Sequence, residues 1–227
     1  MERSAVRLVL AVSLDGRLAP ACGGAAQLGG EGDRYVLEQA LAWSDAVLIG
    51  AGTLRTHRCT CLIHDEQLLN QRKHQGRPLQ PTALVVSRHP DFCLEWPFFQ
   101  QPIERHLLTS ALVQVEGFSS FHLLKSSWET TLVELAEWGF RRLVLLGGAA
   151  LCGSLLEADQ VDELQLTFSP RLLGGRFSWI PIDGFSVPNA LSKPDAWTLL
   201  AADPLAGNEL LVRYERSRRK SSSMEIS

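Results

Sequence analysis

The sequence predicts one α/β domain in which a mostly parallel central sheet ends in a C-terminal antiparallel hairpin. Three observations carry that prediction. A continuous apolar run at 143–146 and largely apolar ones at 6–12, broken only by Arg7, at 45–49 and at 82–87 have the length of buried strands. Two of them end in glycine turns, Gly50-Ala51-Gly52 and Gly147-Gly148, that lead toward helix. Near the C-terminus, residues 196–201 and 209–214 flank the turn-rich stretch 203–208, as the strands of a hairpin do.

Taken in order, the strand at 6–12 runs into Ser13-Leu14-Asp15-Gly16-Arg17, a turn signal that puts Ser13, Asp15 and Arg17 at a sheet edge, where open α/β sheets bind ligands. Residues 19–32 hold five glycines and no periodicity, which predicts a flexible loop and a candidate lid. Asp33 is placed to cap a helix whose apolar positions Tyr35, Val36, Leu37, Ala40, Leu41 and Trp43 are compatible with one buried face. Polar residues and two prolines predict a long surface loop over 57–81. The strand at 82–87 closes on Ser87-Arg88, a hydroxyl and a guanidinium suited to a phosphate monoester; a solvated strand end is the competing reading. Weaker strands are expected at 103–109 and 119–124, and an amphipathic helix over 128–140.

Residues 142–168 then read strand, Gly-Gly, helix, strand, followed by a loop over 170–188. A strand that feeds a helix through glycines leaves backbone N–H groups pointing at open space, where the helix dipole favours an anion. A nucleotide diphosphate would fit there, and a tight turn without ligand is the alternative. The turn at Gly50 is not a Rossmann fingerprint, because Arg55 occupies the third glycine position. If the two glycine-ended strands are neighbours, their turns line one cleft.

Composition narrows the classes. Hydrophobic content of 45%, charged content of 21% and a net charge of −3 give no sign of nucleic acid or an anionic membrane as partner. The basic residues Arg213, Arg216, Arg218, Arg219 and Lys220 run into serines, which predicts a frayed tail over 217–227 behind a domain of residues 1–216. Five cysteines without framework spacing, and no apolar run near the ~20 residues of a membrane span, lead us to expect the cytoplasm. His57-x-Cys59-x-Cys61-x-x-His64 is spaced too tightly for a tetrahedral zinc site, so no metal is expected. Asp162-Glu163 reads as a solvated pair at the start of a strand, and His74, His89, His106 and His122 show no partner. Neither a serine-hydrolase elbow, a P-loop nor a zinc-deaminase motif occurs. What remains fits an enzyme whose hard chemistry belongs to a cofactor, with hydride transfer the natural candidate.

The ordered set of Ser13 to Arg17, Asp45 to Arg55, Gly147-Gly148, Val161 to Leu164 and Pro170 to Gly175 resembles the pyrimidine reductase family of riboflavin biosynthesis, the reductase half of the bifunctional deaminase-reductase. The resemblance implies a dihydrofolate reductase-like three-layer fold, NADPH as cofactor and a homodimer. The deaminase half finds no match, so a stand-alone reductase is expected. The implied reaction takes 5-amino-6-(5-phosphoribosylamino)uracil to its ribitylamino form, with hydride going to C1 of the opened ribose. Carried over by position, Ala11, Gly50, Gly52 and Thr53 would line the cofactor cleft, and Ser87 and Arg88 would meet the adenosine 2′-phosphate. Gly147, Gly148, Ala149, Ala150 and Leu151 would hold the pyrophosphate. Ser13, Asp15, Arg55, His57 and Arg58 would fall on the substrate side, with no residue assigned as acid or base.

Three departures stand out. The family's Asp-Asp-Pro after Thr-x-Arg is replaced by Thr56-His57-Arg58-Cys59, its Glu before the glycine pair by Leu146, and its first-helix Arg by Leu41 or Ala42. They open two alternatives: a reductase of the same fold acting on another, pterin-like heterocycle, or a catalytically silent nucleotide-binding protein.

Overall fold

The computed structural model describes residues 2–110 and 114–218. In chain order the elements are β1 (Ala5–Ser13), α1 (Glu31–Trp43), β2 (Ala46–Gly50), α2 (Ala51–His57), α3 (Glu66–His74), β3 (Thr82–Val86), α4 (Pro97–Gln100) and β4 (Arg105–Thr109). There follow β5 (Ser120–Leu123), α5 (Trp128–Glu137), β6 (Arg142–Leu145), α6 (Ala149–Glu157), β7 (Glu163–Ser169), β8 (Trp197–Leu205) and, after a single 3-10 turn, β9 (Glu209–Arg216).

These strands form one sheet in the order β5-β4-β3-β2-β6-β1-β7-β9-β8. Pairing is parallel from β5 through β7 and antiparallel across β9 and β8. From β1 the chain skips one place, runs outward through β2 to β5, then returns to fill the gap with β6. That return is what makes the two glycine-ended strands neighbours: β6 pairs with β2 in the register Leu48 to Leu145, and Leu146 donates to the Leu48 carbonyl at 2.9 Å.

Alternation along each strand sends neighbouring side chains to opposite faces. Leu8, Leu48, Leu84 and Leu145 pack under α5 and α6, against Leu132, Leu135 and Leu155. Val9, Val47, Ile49, Val85 and Val144 pack on the other face against Ala40 and Leu41 of α1, Leu54 of α2 and Phe98 of α4. Helices cover both faces, so the central strands are mainly apolar, with polar residues such as Arg7, Thr82 and Arg142 at or near their starts. The result is a three-layer domain with a largely parallel sheet.

Several expectations are corrected. The stretch 57–81 is not all loop: Asp65 caps α3 by accepting from Leu68 N at 3.0 Å, and the fully buried Arg72 donates to the carbonyls of Leu41, Ala42, Ser44 and Pro78. Gly30, not Asp33, is the N-cap of α1, and Asp33 lies inside its first turn. β8 continues through the stretch expected to turn, as far as Leu205.

The basic C-terminal residues are tied down. Arg213 pairs with Glu163, Arg216 with Asp159, and Arg218 with Asp162. Ser217 N donates to Ala196 O at 2.9 Å, while residues 219–227 of the expected tail lie outside the described residues. Asp162 and Glu163 are therefore no solvated pair: Arg3 also holds the first and Arg7 the second. Nor are all the histidines solitary, since His106 bridges Glu104 and His122 at 2.9 Å on each side and His122 lies against Trp138.

Candidate functional site

Adjacent β2 and β6 bring their turns into contact at the carboxyl edge of the sheet. Gly50 N donates to Gly147 O at 2.8 Å, and a Cβ on Gly50 would sit 3.4 Å from Gly148 N. A Cβ on Gly148 would come within 2.7 Å of the Thr53 hydroxyl oxygen, so a side chain there would have to displace that hydroxyl. The Gly147–Gly148 peptide is cis, and Gly148 is the N-cap of α6, where no side chain caps the helix. Its first-turn N–H groups therefore face an open cleft of about 440 Å³ lined by Gly50, Gly52, Thr53, Thr56, Gly148, Ala149, Ala150 and Leu151. The loop after β7 closes the other side with Arg176, Phe177 and Ser178.

This cleft continues into a second chamber of about 340 Å³, and Leu18, Thr53, His57 and Gly148 line both. Val9, Leu10, Ala11, Leu37, Ile49 and Leu146 make its walls mostly apolar, and residues 26–29 of the glycine-rich loop form one side. Its polar side chains are Gln27, Asp33, Thr53, His57, Cys59, Thr60 and Cys61. The Thr60 hydroxyl is buried and has no hydrogen-bond partner among the described residues, which leaves it available to a ligand.

Asp33 is the residue that the sequence reading missed. It is 8% exposed and reaches the chamber from the first turn of α1. Burial holds its carboxyl above the ordinary carboxylate range, Glu209 adds to the effect, and a hydrogen bond from Thr167 opposes it. Glu209, from the start of β9, accepts from Gly30 N at 2.6 Å and Asp33 N at 2.9 Å, doing for α1 what a capping side chain does. A Cβ on Gly29 would lie 2.0 Å from Asp33 Oδ2. The Gly29-Gly30 pair thus lets the loop pass directly over two buried carboxyl groups. An Asp three residues after such a pair was the available signal, and it was spent on capping.

Of the residues expected at a site, Ala11, Gly50, Gly52, Thr53, His57, Gly148, Ala149, Ala150 and Leu151 line these two compartments. Gly147 supports them from behind through its bond to Gly50. Six others lie elsewhere. Ser13 is buried and donates to Asp15 at 2.5 Å, while Asp15 also accepts from Leu173 N and Gly174 N and so pins the loop after β7. Those donors, the Ser13 hydroxyl first, hold the Asp15 carboxyl down at about 2. Arg58 ends α2 in the left-handed region at φ 58°, its carbonyl accepting from Phe98 N. Ser87 and Arg88 follow β3, beside β2, where Ser87 Oγ accepts from His89 N at 3.2 Å. Arg55 reaches the same corner, donating to His89 O at 2.7 Å over the ring of Phe92. Among the described residues no group of three or more His, Cys, Asp or Glu is arranged to hold a metal ion.

A parallel sheet wrapped by helices, with paired glycine turns opening on a chamber at its carboxyl edge, defines an α/β ligand-binding protein whose site lies where the strand order reverses. The family is then plain. A model of the RibD C-terminal domain matches residues 4–200, and the chain belongs to that family.

Two relatives are named 2,5-diamino-6-ribosylamino-4(3H)-pyrimidinone 5′-phosphate reductase. That of Archaeoglobus fulgidus is 25% identical over 78% of this chain and 85% of its own length, and that of Methanothermobacter thermautotrophicus 29% identical over 93% and 98%. Among solved structures, the diaminohydroxyphosphoribosylaminopyrimidine deaminase/5-amino-6-(5-phosphoribosylamino)uracil reductase of Thermotoga maritima superposes with a TM-score of 0.75 at 18% identity, over 95% of this chain and 57% of the other. Dihydrofolate reductase of Enterococcus faecalis superposes at 0.54 and 17% identity, over 94% and 97%. The dihydrofolate reductase-like fold is thereby established. Among the described residues no helix is long and apolar enough to cross a membrane.

Proposed function

We propose that the chain is an NADPH-dependent reductase of riboflavin biosynthesis that converts the ribosylamino side chain of a 6-ribosylaminopyrimidine 5′-phosphate to its ribitylamino form. One observation carries this reading: two abutting glycine turns and an uncapped helix start share a cleft with a mostly apolar chamber. Relatives named as pyrimidinone phosphate reductases support the substrate class.

The glycine cradle, which a Cβ at Gly148 would fill, suits a dinucleotide's pyrophosphate. In that reading the first-turn N–H groups of α6 and the Thr53 hydroxyl hold the phosphates, and Arg176 contributes charge from across the cleft. Ser87 and Arg88, with Arg55 beside them, meet the adenosine 2′-phosphate and select NADPH over NADH. When bound, NADPH supplies the hydride that C1 of the opened sugar receives. The walls made by Val9, Ile49 and Leu146 exclude water from the reacting carbon, and the shared lining of Thr53, His57 and Gly148 is where the two ligands meet. A cytoplasmic location and a homodimer belong to the same reading; Leu199 and Leu200 on the edge strand β8, 52% and 47% exposed, offer apolar surface that a second copy would cover.

Fluorescence titration with NADPH, and NADH as control, tests the core of the proposal. Micromolar NADPH affinity with a clear preference over NADH is expected. Binding of neither dinucleotide would overturn it.

A further inference from the structure

We propose that Cys59 and Cys61 form a reversible disulfide, and that closing it reshapes the chamber so that its ring ligand is refused while the glycine-lined cleft still takes a dinucleotide. The thiol chemistry stands apart from the reading above, which supplies only the identity of the ring ligand.

Both cysteines line the chamber, and neither lines the glycine cleft. Cys61 is exposed and Cys59 half-buried, so a small reagent arriving from solvent reaches them. Thr60 alone separates the two, which limits their Cα atoms to at most ~7 Å apart, the outer limit of what a disulfide spans. The backbone around them is clamped. Gln101 accepts from Thr60 N at 3.0 Å and donates to Thr60 O at 2.7 Å, and Gln80 grips Ile63 in the same way at 2.9 and 2.8 Å. Just beyond, Glu38 accepts from His64 N and Asp65 N. Held on both sides of Cys61, the segment keeps its course when a thiol reacts, and the change falls on the wall of the chamber. In a space of about 340 Å³, two sulfurs drawn together obstruct a ring or withdraw their contacts from it. A bridge over so short and fixed a span is strained, and strained disulfides are the easily reduced, regulatory kind.

A low-molecular-weight disulfide serves as oxidant. Cys61 is exposed as a residue, yet the protein packed around its sulfur, and after it Cys59, Asp33 and Glu38, push that thiol up to about 11. It therefore stays protonated, and the first attack falls to Cys59. The Cys59 thiolate attacks one sulfur of the small disulfide, the S–S bond of that molecule breaks, and one small thiolate leaves. Cys61 then gives its proton to water and attacks the Cys59 sulfur, expelling the second small thiolate. Together the cysteines give up two electrons and two protons, and the small disulfide takes both to become two thiols. Once Cys59 is in the mixed disulfide it carries no charge, which removes one of the influences that kept Cys61 protonated.

The test uses Cys22→Ser/Cys93→Ser protein, in which the pair and Cys152 are the remaining cysteines; Cys152 is buried, and that burial pushes its thiol up to about 12. The protein is incubated with oxidised glutathione, desalted, and read by intact mass and peptide mapping. It is then titrated with 2,5,6-triaminopyrimidin-4-one and with NADPH, before and after dithiothreitol. The mass should fall by ~2 Da with no glutathione retained, and mapping should find Cys59 joined to Cys61. Affinity for the base should fall by ~10-fold or more and return with dithiothreitol, while NADPH affinity changes by less than ~2-fold. Adding Cys61→Ser should trap glutathione on Cys59, and adding Cys59→Ser should leave Cys61 unreacted, a division of roles that two merely exposed thiols would not show. Wild-type protein, mapped and titrated in the same way, decides if a variant fails to fold. A stable glutathione adduct with both thiols present, no reaction at either, or a bridge that leaves base affinity unchanged would each overturn the proposal. A reduced protein that forms the bridge but binds no base would sink the pyrimidine reading and leave the disulfide standing.

Discussion

At the turn between β6 and α6 the groups that face the cleft are backbone atoms, and glycine is what keeps side chains out of their way. In the adjoining chamber side chains from elements distant in sequence take part: Asp33 of α1 lines it, and behind Asp33 stand Thr167 of β7 and Glu209 of β9. The first kind of site depends on local conformation and tolerates change anywhere that spares the turn. The second depends on packing across the sheet, and can be retuned by one substitution without disturbing the first. Leu146 sits at the join, an apolar side chain that lines the chamber immediately before the glycine pair.

The strongest way to break this contrast is Gly148→Asp. The new Cβ would meet the Thr53 hydroxyl at 2.7 Å, and a carboxylate near a phosphate charge costs about 4 kcal/mol in a partly screened setting. Dinucleotide affinity is expected to fall by ~100-fold or more, whereas base binding in the chamber should change little. Undiminished NADPH affinity would remove the pyrophosphate from this turn.

A sharper probe is Gly29→Ala, in the loop that forms one side of the chamber and away from the glycine turns. Its methyl would arrive 2.0 Å from Asp33 Oδ2 and force the carboxyl aside. Binding of the pyrimidine substrate in the chamber should weaken by ~10-fold, about one charge-assisted hydrogen bond, with dinucleotide affinity unchanged. Equal losses in both compartments would mean that they are not separable.

The smallest effect belongs to Asp15→Asn, since Asp15 serves neither compartment directly. Its carboxyl sits at about 2 in the folded protein and near 3.9 when unfolded, so its contribution is fully present above ~pH 4 and is lost as pH falls toward 2. The variant should melt slightly lower than wild type at pH 7, and the two curves should converge near pH 2. A difference that persists undiminished at pH 2 would refute the carboxylate's role in holding the loop after β7.

The same contrast explains what the sequence made legible. Glycine turns announce themselves because their backbone tolerates little else, so both were found, together with the strands that end in them. Whether those strands were neighbours depended on β6 returning to the gap beside β1, which no local pattern records. Arg72 misled for a related reason. The stretch 57–81 looked like loop because it is polar, yet this guanidinium is buried against carbonyls at the end of α1, with partners some thirty positions earlier. Arg216 and Arg218 find Asp159 and Asp162 across 57 and 56 residues, so a basic tail in the sequence is an ion-pair network in the fold. His106 and His122 meet only because β4 and β5 pair in register.

The late return of β6 has a further consequence for a chain emerging from the ribosome. β1 precedes every other strand of the sheet along the chain, yet its two neighbours are β6 and β7, so neither of its edges finds its native partner until residue 142 has been synthesised. Until then a nascent chain carries an apolar strand with both hydrogen-bonding edges open, the condition that invites intermolecular pairing. Translation that stalls before that point should leave an aggregation-prone product, and the segment that completes the ligand cleft is also the one that closes this vulnerability.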